Sequence, residues 1–231
     1  MRALALGLAL GALACATGCG SQLGLGRART LDAGKTRGSV GLELDALSPH
    51  SSDQQSPILP WVLTRVGVHH GVTDRVEVGG RFWAFALPNS LVTVGGAVDG
   101  KIALVRAERP SDRINVSLGL SASYHQPRYG GNAYHVFSGT TPLLVGIRVG
   151  PHELVLSPRV AEYVWTSYGQ NTATAFYFGG GIGIAMQVDR RFELMPEVAA
   201  LYSMTSFDGE ASDERRGVAM TQLGLGGRFE L

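Results

Sequence analysis

Residues 220–231 read M-T-Q-L-G-L-G-G-R-F-E-L, a segment with two unlike faces. Leu223, Leu225, Phe229 and Leu231 share one parity, and Gln222, Gly224, Gly226, Arg228 and Glu230 share the other. Successive side chains of a strand point to opposite sides, so the first set forms an apolar face and the second a small or charged one. Such a strand cannot satisfy its own backbone or cover its own apolar face. It needs neighbours of the same kind, and ten runs in the chain alternate this way: 37–47, 61–70, 75–87, 94–107, 114–125, 136–149, 153–165, 175–188, 192–203 and 217–231. Each is near or above the roughly 9–11 residues that a tilted transmembrane strand requires. An even number is what single-chain bacterial barrels use. The expectation is an all-β fold, a closed antiparallel up-and-down transmembrane β-barrel of about ten strands.

The links support this pattern independently. Short ones follow the even-numbered runs: G-V-T-D at 71–74, E-R-P-S-D-R at 108–113, G-P-H at 150–152 and D-R-R at 189–191. Longer ones follow the odd-numbered runs, as at 48–60 and 207–216. Outer-membrane barrels alternate in this way, with turns in the periplasm and loops outside. Both chain ends are then expected to be periplasmic and the address to be the cell outer membrane.

Alternation alone does not say which face is inside. A soluble periplasmic β-barrel lipoprotein binding an apolar ligand would point Phe178, Ile182, Ile184 and Leu225 inward. The polar parity argues against that arrangement. In the run 114–125 it is Asn115, Ser117, Gly119, Ser121 and Ser123, and in the eighth run Tyr177, Gly179, Gly181, Gly183, Ala185 and Gln187. A water-facing surface favours long charged side chains, whereas small ones suit the inside of a narrow barrel. The apolar face is therefore expected to meet lipid. Pro142, Pro158 and Pro196 fall inside runs, where a closed sheet has no edge to excuse a missing donor, and bulges are the expected remedy.

At the other end, Met1 and Arg2 precede an apolar run at 3–14, then Cys15 and Cys19. A positive charge, a short apolar core and small residues are the parts of a secretory signal. Ala16, Thr17 and Gly18 before Cys19 resemble a bacterial lipobox, which makes Cys19 the expected lipidated mature N-terminus. Cys15 after Ala12-Leu13-Ala14 is a competing site, and ordinary signal cleavage is the plainer alternative. The expected organisation is a signal peptide at 1–18, a periplasmic tether at 19–36 and the barrel at 37–231.

Both cysteines lie in that leader, so the body holds neither a disulfide nor a thiolate metal site, and no cofactor or metal is expected. The net charge of +1 creates no field that would draw the chain to nucleic acid.

Counting from each turn along the polar parity places Glu43, Arg65, Arg81, Lys101, Arg159 and Glu197 at similar heights in the lumen. Unpaired buried charge costs several kcal/mol, so these groups are expected to pair or stay hydrated. A girdle of this kind serves either as an ion-pair plug in a structural barrel or as a constriction for small solutes or ions. Ten strands leave little lumen once side chains fill it, so no large open pore is expected.

An enzyme is not expected, and an outer-membrane barrel hydrolase is the minor alternative. Omptin-like proteases also use ten strands, with acidic and histidine residues at the rim. The candidates here are Tyr124, His125, Tyr134 and His135, with His125 and His135 able to face each other across their hairpin, and Asp208, Glu210, Asp213 and Glu214 in the last loop. His69 and His70 sit by a turn, away from any external substrate. G-L-G at 24–26 lacks the strand–helix context of a dinucleotide site. Trp61, Trp83, Tyr124, Tyr163, Trp165 and Tyr202 cluster toward the loop ends, where an interfacial aromatic girdle belongs.

The segments A-R-T-L-D-A-G-K-T-R-G-S-V-G-L-E-L and V-G-V-H-H-G-V-T-D-R-V-E-V-G-G-R resemble the opening of small porin-like bacterial outer-membrane β-barrel proteins, which often carry a lipoprotein-type signal peptide. The resemblance implies outer-membrane lipid, the barrel-assembly machinery and lipoprotein-processing enzymes as partners, and it carries over no catalytic residue. Leu225, Phe229 and Leu231 form the expected assembly signal, although that class usually ends in an aromatic residue and this chain ends in Leu231.

Overall fold

The computed structural model describes residues 26–50, 59–86, 91–109, 111–129, 132–167, 173–203 and 217–231. It contains β1 (Thr36–His50), β2 (Leu59–Thr73), β3 (Val76–Ala86), β4 (Leu91–Val105), β5 (Ile114–Tyr129), β6 (Asn132–Val149), β7 (His152–Ser167), β8 (Ala173–Gln187), β9 (Phe192–Ser203) and β10 (Gly217–Glu230). Each strand pairs antiparallel with its neighbours in sequence, and β1 pairs with β10 to close the barrel. The wall is therefore a meander without edges, in which every ladder has a partner. The two ends of the barrel differ: one carries the short links and the chain's β1 start and β10 end, the other the long links. They are called the turn end and the loop end below.

The two parities separate as the alternation requires. On β10, Leu223 and Leu225 are exposed on the outside while Gln222 and Arg228 are buried inside. Phe178, Ile182, Ile184 and Leu225, which a soluble ligand-binding barrel would turn inward, all stand on the exterior between 42% and 49% exposed. That alternative is thereby corrected. An outside of Val, Leu, Ile and Phe around an inside of carboxylates and guanidinium groups is suited to a hydrocarbon surround.

The prolines are accommodated without bulges, contrary to expectation. Leu118 pairs with Leu143 and Ser121 with Thr140, in one register, with no rung between them beside Pro142. Pro142 still pairs with Arg159 on its other side. Pro158 pairs with Gly180 while the β6–β7 ladder lapses around it. Pro196 pairs with Leu225 while the β8–β9 ladder lapses. In an antiparallel sheet a residue's N–H and C=O point to the same neighbour, so a missing donor disturbs one ladder only. The register shifts that do occur lie near the turn end, at Gly71/Thr73 and Ala103/Val105. At the second, Leu104 and Val105 both face outward.

Closure of the wall uses two aromatic–glycine pairs. Gly38 of β1 lies opposite Phe229 of β10, and a Cβ on Gly38 would sit 2.5 Å from the Phe229 ring. Phe192 covers Gly227 in the same way, 3.0 Å from where a Cβ would stand. Gly150, with φ +63°, makes the tight β6–β7 turn that a side chain would strain.

The segment expected as a tether behaves differently where it is described. Residues 26–35 fold back into the turn end of the barrel, with Ala28, Thr30 and Leu31 buried. The signal peptide, Cys15, Cys19 and the acidic loop residues Asp208, Glu210, Asp213 and Glu214 lie outside the described residues, as do the side chains of Trp61, Tyr134 and Trp165.

Candidate functional site

The lumen is where this chain concentrates its chemistry, and it is filled in three tiers. Toward the loop end the inward parity is apolar and aromatic: Leu63, Trp83, Val136, Tyr163, Tyr177, Leu201 and Met220 form one buried cluster. Tyr163 and Tyr177 meet edge to face, with ring centroids 5.3 Å apart. Trp83 and His125 flank Gly95, where a Cβ would come within 2.6 Å of the indole and 2.5 Å of the His125 Cβ. Trp83 and Tyr163 are thus corrected from girdle to core, because each stands on the inward parity of its strand. Tyr124 and Tyr202 do face outward, Tyr202 against Phe178 with centroids 5.7 Å apart.

The middle tier is electrostatic. Arg159 pairs with Glu197 at 2.8 Å, with both side chains almost fully buried, and the Ser157 hydroxyl accepts a further bond from Arg159 at 2.7 Å. Arg65 lies 3.9 Å from Glu43. The Gln222 amide donates to Glu43 at 2.9 Å and to Asp45 at 3.2 Å, tying two neighbouring carboxyl groups together. Arg81 grips Asp99 through two bonds of 2.7 and 2.8 Å and also donates to Ser121. Lys101 pairs with Glu77 at 2.8 Å, and His69 stands 3.5 Å from both Glu77 and Asp99. All six residues expected in the girdle therefore face the lumen. They do not form a single ring: Arg159–Glu197 and Arg65–Glu43 meet each other, whereas Arg81 and Lys101 bridge to Asp99 and Glu77. Those two acids were legible, since they share parity with Arg81 and Lys101 on the same two strands.

The third tier is the strap made by residues 26–35. Glu193 lies 2.9 Å from Arg27, 3.3 Å from Arg37 and 3.4 Å from Arg228. Lys101 donates to the Arg27 and Arg29 carbonyls at 3.2 and 3.5 Å. Ser117 donates to the Ala28 carbonyl, and the Leu31 N–H donates to Glu77 at 2.9 Å. Outside the wall, Asp74 in the β2–β3 turn accepts from the Ala33 N–H at 2.9 Å and lies 3.4 Å from Arg106, which also binds Asp32. The Ala33 N–H, and then Arg106, hold the Asp74 carboxyl below the usual aspartate range. Beside the strap a cavity of about 80 Å³ remains, bordered by Gly26, His69, Glu77, Arg81, Asp99 and Lys101. It has room for several waters or a very small solute.

The histidine pair expected at the rim is split. His125 points into the lumen and is fully buried against Trp83, while His135 is on the outside, stacked on Tyr124 and bonded to its hydroxyl at 2.8 Å. His125 lies opposite Val136, so His135 falls on the other face of the wall, and the two imidazoles cannot share a proton or a metal. Among the described residues no cluster of His, Cys, Asp or Glu is arranged to hold a metal ion.

These features define the class: a closed ten-strand antiparallel barrel, apolar outside and charged within, the fold of outer-membrane β-barrel proteins. Two solved structures stand out among its likenesses. One is the outer membrane protease OmpT from Escherichia coli, at 9% identity and a TM-score of 0.50, covering 88% of this chain and 100% of that one. The other is an outer membrane channel from Pseudomonas putida F1, at 12% identity and a TM-score of 0.51, covering 89% and 98%. Identities this low carry the fold and no activity. No family model matches the sequence, and no curated protein sequence matches it.

Proposed function

We propose that this chain is a porin-like protein of the bacterial outer membrane: a structural barrel or a narrow channel for small solutes or ions, without a large open pore. The observation that carries this reading is the filled lumen inside an apolar wall. The aromatic tier, the ion pairs and the strap occupy successive heights, leaving a cavity of about 80 Å³ among them. On this reading both termini face the periplasm, outer-membrane lipid covers the wall, and the barrel-assembly machinery reads Leu225, Phe229 and Leu231. Lipoprotein-processing enzymes act on Cys19 before assembly. No residue is assigned a catalytic role.

Two measurements test this. Purified full-length protein in planar bilayers is expected to give at most small conductance steps, and large stable pores would refute the filled-lumen reading. Cysteine at Ile182, on the exterior, is expected to react with a lipid-soluble maleimide in membranes, whereas cysteine at buried Gly183 is not. The reverse pattern, or a folded protein that stays in water without detergent, would overturn the membrane assignment.

A further inference from the structure

The strap is bound in the way a ligand is bound. Between Arg27 and Leu31 it adds no rung to the wall, and it is held by side chains of the lumen. Lys101 reads two of its carbonyls and Ser117 a third, Glu77 reads one N–H, and Glu193 takes its guanidinium. The Pro151 carbonyl accepts a further bond from Arg27 at 3.0 Å. The seat for the next residue is small: a Cβ on Gly146 would lie 2.8 Å from the Ala28 methyl. The backbone bonds of the segment lie at its far end, Lys35 N–H to Asp32 at 3.1 Å and Gly34 N–H to Gly71 at 2.8 Å, and Gly34 has φ +77°. That end is pinned to the turns through its backbone, whereas the stretch before it is held through side-chain contacts.

We propose that the turn-end vestibule is a peptide-binding site, specific for an extended segment with an arginine followed by a small residue, and that residues 27–31 are its resident, displaceable occupant. Backbone groups are recognised by Lys101, Ser117 and Glu77, which gives affinity for any extended chain. The arginine is selected by Glu193, and the small residue by Gly146. Release of the strap uncovers these groups together with the adjoining polar cavity, while the aromatic tier keeps the loop end shut. The vestibule thus opens to one side only. This site stands whether or not the barrel conducts.

The test uses the full-length protein in detergent and a fluorescein-labelled octapeptide, Gly-Arg-Ala-Arg-Thr-Leu-Asp-Ala, which copies residues 26–33. With Arg27→Ala in the protein, the resident strap is weakened and the peptide is expected to bind saturably by anisotropy. Its affinity should be at least about tenfold tighter than for the unsubstituted chain. A peptide with alanine in place of its first arginine should bind at least about tenfold more weakly. In the unsubstituted chain, excess peptide should speed hydrogen exchange at the Leu31 amide several-fold, because that amide leaves Glu77 when the strap is displaced, and this needs no variant to fold. Absence of saturable binding to an Arg27→Ala protein that keeps heat-modifiable gel migration would overturn the proposal. So would equal binding of the two peptides, or Leu31 exchange unaffected by peptide. Loss of heat-modifiable migration in the unsubstituted protein would count against the barrel reading instead.

Discussion

Replacing Arg159 by methionine isolates a deeply buried, closely spaced ion pair of the lumen. Arg159 and Glu197 stand 2.8 Å apart, with side-chain exposures of 1% and 4%. At that distance and an effective dielectric of about 20, two unit charges attract by about 6 kcal/mol. Desolvation of both groups cancels most of this gain, so the pair contributes little net stability. Removal of one partner is a different matter, because it strands a charge in the interior at a cost of about 3–5 kcal/mol. Arg65 also acts on Glu197 across the lumen, which places the expected loss for Arg159→Met near the lower bound, about 3 kcal/mol. The double variant Arg159→Met with Glu197→Met leaves no stranded charge and is expected to cost about 1 kcal/mol or less. Urea unfolding of the full chain refolded into lipid vesicles, followed by tryptophan emission, measures all four corners of the cycle. A single variant within about 1 kcal/mol of the parent, or a double variant as costly as the sum of the singles, would refute the pairing as described.

Two further outcomes follow from the wall and the turn. Gly38→Val drives a side chain into the Phe229 ring at the seam and should cost about 1–3 kcal/mol, with Phe229→Ala in the same chain recovering part of the loss; a neutral Gly38→Val would show that the ring does not pack there. Asp74 has a depressed pKa in the folded chain, so the stability it adds is present above the ordinary aspartate value of about 3.9 and disappears as pH falls through its lower folded value. Hydrogen exchange at the Ala33 amide should therefore lose its protection only in that acid range, and a midpoint at or above the ordinary value would contradict the bond to Asp74.

Most of the wall can be read from local pattern. The ninth run coincides with β9, and the others differ from their strands by a few residues at the ends, the largest extension being the β5–β6 hairpin, which continues to Tyr129 and Asn132. Alternation survives because it needs nothing but the geometry of a strand: parity alone assigns Leu223 to the exterior and Gln222 to the lumen. It also assigns His125 inward and His135 outward once the hairpin register is known, which is why a pair adjacent in a loop diagram ends on two faces. Trp83 and Tyr163 were likewise on the inward parity, and their nearness to the loop end was a weaker signal than their side.

What residue order could not supply is everything that depends on closing the barrel. Whether Arg81 meets Asp99 or another acid is decided by the stagger between strands, which accumulates around the ring and has no local mark. Each proline's missing N–H is harmless or damaging according to which neighbour it faces, again a matter of register. The strap is the clearest case. Residues 26–35 carry no alternation, and only the space left by Gly146, beneath the charges of Glu77, Lys101 and Glu193, makes the turn end of the lumen a place where Arg27 and Ala28 fit. The strands, their two faces and the order of short and long links are properties of neighbours in the chain, and so they are legible in residue order. Which charges pair and what closes the lumen are properties of residues brought together across the barrel, and so they emerge only on closure.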